Sequence, residues 1–279
     1  MAADMSDLLA QLDAQTAGLC AALEEAGAET GESCWDLATP AERWSVRDQL
    51  THLAYFDELA TMSILLPARF RIEARILMAG GMDFPDRIAH QYASMPGDEV
   101  LMWFRSAREE FASVARRSDP SARLPWFGPD MSVTSTVTAR LMETWAHGRD
   151  VHDTLGTVQP TGPELRSVAH LGVATFGFVH QLHHREIPST LPRVELAGPS
   201  GEQWVWGPED STDSVRGHAE DFALAVTQRR NLADTDLEIT GDVARNWMTI
   251  AQTYAGTPGT GRPPLNEPTD TTAARGHQS

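Results

Sequence analysis

The chain has 279 residues, of which 41% are hydrophobic and 22% charged, the composition of a soluble globular protein with room for two domains. Its formal net charge of −17, from 39 acidic against 22 basic residues, opposes binding to phosphate backbones and anionic lipid, so neither nucleic acid nor a membrane is an expected partner. Two cysteines, Cys20 and Cys34, are too few for a disulfide framework, and no basic segment precedes an apolar run at the N-terminus, so a cytoplasmic location is expected.

Leu8, Leu9, Leu12, Leu19, Ala22 and Leu23 recur at helical spacing and predict a first amphipathic helix over residues 6–26, followed by a connecting loop over 27–40. Ser45 with Asp48 three residues on has the form of a capping box. Behind it Val46, Leu50, Leu53 and Phe56 form the apolar stripe of a second helix, reaching about residue 67 and carrying His52. A short helix over 69–78 is expected to end at Gly80-Gly81. The segment 67–95, rich in Met and Arg, reads as an elaboration over the bundle. Its Phe70, Ile72, Ile76, Leu77, Met78 and Phe84 either line a pocket for a hydrophobic substrate or pack into the core.

A third long helix opens near Asp98 and runs to about Arg117, a Pro-rich loop covers 119–130, and a fourth helix spans 132–156 with Gly156 as its C-terminal cap. Four such helices predict an antiparallel bundle, a scaffold whose core hosts metal sites built from facing helices. Beyond it the pattern changes to a helix over 164–184, a hairpin around Pro199-Ser200-Gly201, a helix over 217–230, a strand over 237–240 and a closing helix over 242–254. The expected class is therefore α+β, with a helical bundle in 1–160, a smaller α+β domain in 161–256 and a disordered tail in 257–279.

The fourth helix concentrates the candidate chemistry. At 100° per residue Thr136, Arg140, Glu143, His147, Asp150 and Thr154 share one polar stripe beside an apolar arc of Val137, Leu141, Trp145, Val151 and Leu155. A solvated face would explain that stripe equally well. Glu143 and His147, four apart, lie close enough on one helix face to hold a common divalent metal, and His52 is the first candidate for a third ligand. Two histidines and one carboxylate suit catalytic zinc, because a coordination position stays open, and also suit iron(II). Asp150, one turn beyond His147, is placed to orient an imidazole or bind a ligand.

Two stretches also carry a resemblance. Trp44-Ser45-Val46-Arg47-Asp48-Gln49-Leu50-Thr51-His52-Leu53 and Glu143-Thr144-Trp145-Ala146-His147-Gly148-Arg149-Asp150 resemble the two signatures of the DinB-like, mycothiol-dependent maleylpyruvate isomerase superfamily. The similarity extends to Asp221–Arg229 and Asp236–Asp242 in the second half. The resemblance implies a DinB-like bundle in which His52, Glu143 and His147 bind a divalent metal, zinc first, with nickel, iron or manganese as alternatives. It implies catalytic roles for Asp150 and Arg229. The family's Gly-Arg pair matches Gln228-Arg229-Arg230, so Arg229 and Arg230 are the candidate cofactor-binding residues.

The implied cofactor is mycothiol and the implied activity is thiol activation against a small electrophile, as an S-transferase or a cis–trans isomerase. A thiol-independent hydrolase, lyase or cyclase, or a non-catalytic binding protein, are the alternatives. A monomer or a homodimer is compatible with either.

Overall fold

The computed structural model describes residues 4–265. Four long helices form the bundle: α1 (Met5–Thr30), α2 (Val46–Leu65), α5 (Gly97–Arg116) and α6 (Val133–Leu155), with α3 (Pro67–Ala79) and α4 (Phe84–Gln91) inserted between the second and third of them. α1 runs four residues beyond its expected end because Ala26, Ala28 and Glu29 are good helix formers. It stops at Gly31, where φ is +66°, and the expected loop begins with a 3₁₀ turn over Gly31–Asp36. Ser45 and Asp48 cap α2 reciprocally, as their spacing predicts, and Gly156 closes α6 in the left-handed conformation.

α4 has no counterpart in the sequence reading, which ended the helix of 69–78 at Gly80-Gly81 and gave no further element before Asp98. Pro85 stands in its first turn, where a missing N–H costs nothing. The loop after α5 is pinched by a two-residue ladder, β1 (Arg123–Leu124) against β2 (Met131–Ser132), which presents Trp126 and Phe127 at its tip. Phe70 is fully buried against Trp126, whereas Ile72 and Ile76 of the same helix face outward, 53% and 63% exposed. The apolar content of 67–95 is thus divided between core, pocket and surface.

The second half contains α7 (Glu164–Ala174), α8 (Phe176–Leu182), β3 (Arg193–Ala197), β4 (Gln203–Trp206), β5 (Ser214–His218), α9 (Ala219–Val226), β6 (Glu238–Thr240) and α10 (Asp242–Met248). The single helix expected over 164–184 is broken at Thr175, whose hydroxyl bonds to the Leu171 and Gly172 carbonyls. β3 and β4 form the expected hairpin. β5, of which only Gly217 and His218 fall in the helix expected over 217–230, pairs in parallel with β3 so that Val215 lies beside Val194 with both fully buried, and β6 completes the order β4-β3-β5-β6. The core under this sheet continues onto Met142, Trp145 and Ala146, so α6 belongs to both halves.

α10 ends at Met248 rather than near 254. Ala251, Gln252 and Thr253 then run buried along the bundle, with Thr253 Oγ1 3.3 Å from Met142 Sδ, and deliver Tyr254 to the candidate site. Residues 257–265, placed in the expected disordered tail, have no regular element but are tied by side chains. Asn231 donates to the Arg262 carbonyl at 2.7 Å, and Gln252 accepts from the Gly259 N–H at 2.9 Å. The rest of that tail, 266–279, lies outside the described residues.

Candidate metal centre and its pocket

α2 and α6 pack side by side and bring His52, Glu143 and His147 together, with one ligand atom from each within 4.8 Å of the others. His147 Nε2 lies 3.1 Å and His52 Nε2 3.7 Å from Glu143 Oε2. Atoms held about 2.0–2.2 Å from a common ion are separated by distances of this order. Among the described residues neither ring nitrogen of the buried His52 has a hydrogen-bond partner, an unsatisfied state that a metal ion would relieve. His147 Nδ1 meets Gln49 Oε1, and the Gln49 amide nitrogen donates to Thr39 Oγ1 at 2.8 Å, which turns the amide oxygen toward the ring. That bond places the proton on Nδ1 and leaves the Nε2 lone pair toward Glu143.

Protonation follows from burial. It pushes His52 below its ordinary value and, with the charge of His52 adding to it, pushes His147 down to about 4. Burial alone would raise the Glu143 carboxyl, but the two imidazoles outweigh it and hold the group well below the usual carboxylate range. Two neutral imidazoles and one carboxylate at neutral pH are the state a divalent cation requires.

Asp150 does not line the pocket; it is wholly buried between arginines. Arg262 pairs with its Oδ1, and Arg229 Nε sits 3.1 Å from Oδ2 while donating to the Ala146 carbonyl at 3.2 Å. Arg229 does line the pocket. Arg230 instead pairs with Asp153 at 2.8 Å and borders, together with Arg229, a surface depression outside the cavity over the trio, so of the two candidate arginines Arg229 alone lines that cavity.

The cavity over the trio has a volume of about 330 Å³ and is walled by Trp44, Phe56, Phe84, Trp126, Phe127 and Tyr254, with Arg140 and Arg229 as its cations. Trp44 stacks on His147 with ring centres 5.7 Å apart, and its indole N–H donates to Asp86 Oδ1 at 2.7 Å, fastening α4 over the site.

The model of the mycothiol maleylpyruvate isomerase N-terminal domain matches residues 9–152. Two uncharacterized proteins of Mycobacterium tuberculosis, from strains CDC 1551 / Oshkosh and ATCC 25618 / H37Rv, are each 39% identical over 260 residues, covering 93% of this chain and the whole of each relative. The chain belongs to the mycothiol maleylpyruvate isomerase family. The fold is also that of a solved mycothiol-dependent maleylpyruvate isomerase, at a TM-score of 0.56 and 14% identity, covering 87% of this chain and 94% of that one. A His-to-Ala mutant of that enzyme matches at 0.55 and 13%, covering 81% and 90%.

Within this family member, Gln49, Arg140, Asp57 and Arg262 escaped the sequence reading. Gln49 stands three residues before His52, on the same side of α2, and that spacing was the available signal. Arg140 was visible in the polar stripe, which a solvated face explained equally well, and was given no role. Its Nε donates to the fully buried Asp57 at 2.8 Å, and Arg108 Nε donates to the other oxygen of Asp57 at 2.8 Å.

Proposed function

We propose that the chain is a metal-dependent enzyme that activates a low-molecular-weight thiol of the mycothiol class against a small electrophile, as a cis–trans isomerase or an S-transferase. The observation that carries this reading is the convergence of two neutral, buried imidazoles on one ionised carboxylate, with His52 left without a hydrogen bond among the described residues. The solved enzyme sharing the fold is named for mycothiol and maleylpyruvate, which supports the thiol. A divalent metal held by His52, Glu143 and His147, zinc before nickel, iron or manganese, would lower the pKa of a thiol enough to present a thiolate at neutral pH.

The protein's own groups supply the rest. Gln49 keeps His147 in one tautomer. Arg229, fixed by Asp150 and by the Ala146 and Thr227 carbonyls, sets a guanidinium on the pocket wall where negative charge develops as a thiolate adds to a conjugated electrophile. In an isomerase the C–S bond forms, the alkene electrons move onto the conjugated carbonyl, and the former double bond rotates. Return of those electrons then expels the thiolate, so no atom is gained or lost. In a transferase the C–S bond is kept and the electron pair leaves with a leaving group or takes up a proton.

The test is metal analysis of protein purified without chelator, followed by cobalt substitution and titration with mycothiol or N-acetylcysteine. Stoichiometric metal, its loss in His147→Ala, and a thiolate-to-cobalt absorption band are the expected results. Protein that takes up no zinc, nickel, iron or manganese sinks the metal reading, and a cobalt spectrum unmoved by thiol sinks the thiol.

A further inference from the structure

We infer that the pocket takes an electrophile with an apolar, ring-sized body and a single carboxylate, the body lying among Phe56, Phe84 and Phe127 and the carboxylate on Arg140. The inference rests on the reading of the site given above for the word electrophile, but its geometry stands without metal or thiol.

The wall decides the body. Phe84 and Phe127 lie 4.8 Å apart and Phe56 stands 5.8 Å from Phe127 and 6.1 Å from Phe84, so the three rings form one continuous face. These rings pack on one another and on Trp126 and leave the cavity of about 330 Å³ open above the centre. That is the lower end of the size range of small-molecule sites, room for one or two fused rings. A polar body would give up water to this face without recovering hydrogen bonds.

Charge decides the other end. Asp57, wholly buried, is shared by two buried guanidiniums, Arg108 and Arg140, so this cluster carries one positive charge more than its own carboxylate balances. Arg108 gives Nη2 to Thr144 Oγ1 at 2.8 Å, its buried Nη1 has no partner among the described residues, and it does not line this cavity. Arg140 gives Nε to Asp57 and Nη2 to the Leu53 carbonyl at 3.2 Å, and among the described residues its Nη1 has no partner. Arg140 is also the member of the cluster that lines the cavity. Arg229, the cavity's other cation, already faces Asp150 and two carbonyls. Asp83, Asp86 and Glu143 also line the cavity, and Arg229 is the group assigned above to the charge that develops on the electrophile. Arg140 is therefore left as the seat of one carboxylate, and a second would meet those acids or the phenylalanine rings.

The test is calorimetric titration of the full chain, zinc-loaded and chelator-stripped, with 2-naphthoate, its neutral counterpart 2-naphthalenemethanol, acetate and succinate. We expect 2-naphthoate to bind at least about tenfold more tightly than the other three in both forms of the protein. Phe127→Ala, at a half-buried loop residue, should weaken naphthoate by about tenfold and leave acetate unchanged, and Arg140→Lys should abolish the preference for naphthoate over the alcohol. Equal binding of naphthoate and the alcohol, or tighter binding of succinate, overturns the inference. A preference present only with zinc overturns the Arg140 assignment, because the carboxylate then sits on the metal. If the protein takes up no metal yet ranks the probes as expected, the metal reading fails and this one stands. Should Arg140→Lys not fold, the wild-type ranking and Phe127→Ala decide the matter.

Discussion

The amide oxygen of Gln49 accepts the Nδ1 proton of His147, joining α2 to α6 behind the candidate metal centre. Gln49 is itself fully buried and oriented by Thr39. Outer partners of this kind fix ligand orientation and basicity. Gln49→Leu should therefore weaken zinc binding by about 10–100-fold in a chelator competition while leaving the helical circular dichroism unchanged. Unaltered affinity would show that the bond is incidental to the site.

Asp57 holds two buried arginines with one carboxylate. Asp57→Ala strips both of their counter-charge in a place water does not reach. The expected loss is about 3–5 kcal/mol in denaturant unfolding, larger than for any surface ion pair of the chain. A loss under about 1 kcal/mol would mean that the guanidiniums find other partners after the change.

The centre should make the metal-free protein acid-sensitive. A histidine with a depressed folded pKa binds fewer protons folded than unfolded, so folding stability falls as pH falls. His147, at about 4 against 6.5, sets the window between those values, and His52 acts in the same direction. Glu143, held well below 4.5, adds a further loss at still lower pH. Denaturant midpoints of chelator-stripped protein should decline across this window, and His147→Gln should flatten the decline. A flat wild-type profile, or an equally steep variant, contradicts the assigned protonation states.

Arg262 fastens the chain after α10 to Asp150. Removing one of two partners from a wholly buried carboxylate costs about 1.5–3 kcal/mol. Arg262→Ala should lose stability of that order and become more sensitive to proteolysis within 255–265. Unchanged cleavage there would show that the backbone ties of Asn231 and Gln252 hold the segment alone.

The bundle and the Glu143–His147 pair were legible because capping and the i,i+4 spacing are local, whereas His52 joined them through the resemblance of the stretch around it. What was not legible is direction. The stripe of Arg140, Glu143, His147 and Asp150 has the polarity of a wet surface, and only the partners Asp57, Arg229 and Arg262, brought from 83, 79 and 112 residues away in sequence, turn it inward. β5 was missed for a related reason. Five residues ending in Gly217-His218 carry little strand signal until β3 supplies the other half of the ladder.

Because Trp145 and Met142 of α6 are packed under the second half's sheet, the helix that carries Glu143 and His147 is gripped from two sides. A fragment ending near residue 160 would present the Trp145 indole, 0% exposed in the whole chain, to water. The two halves should then melt as one cooperative unit, and a ligand captured at the bundle should raise the melting point of a sheet that none of its atoms touch.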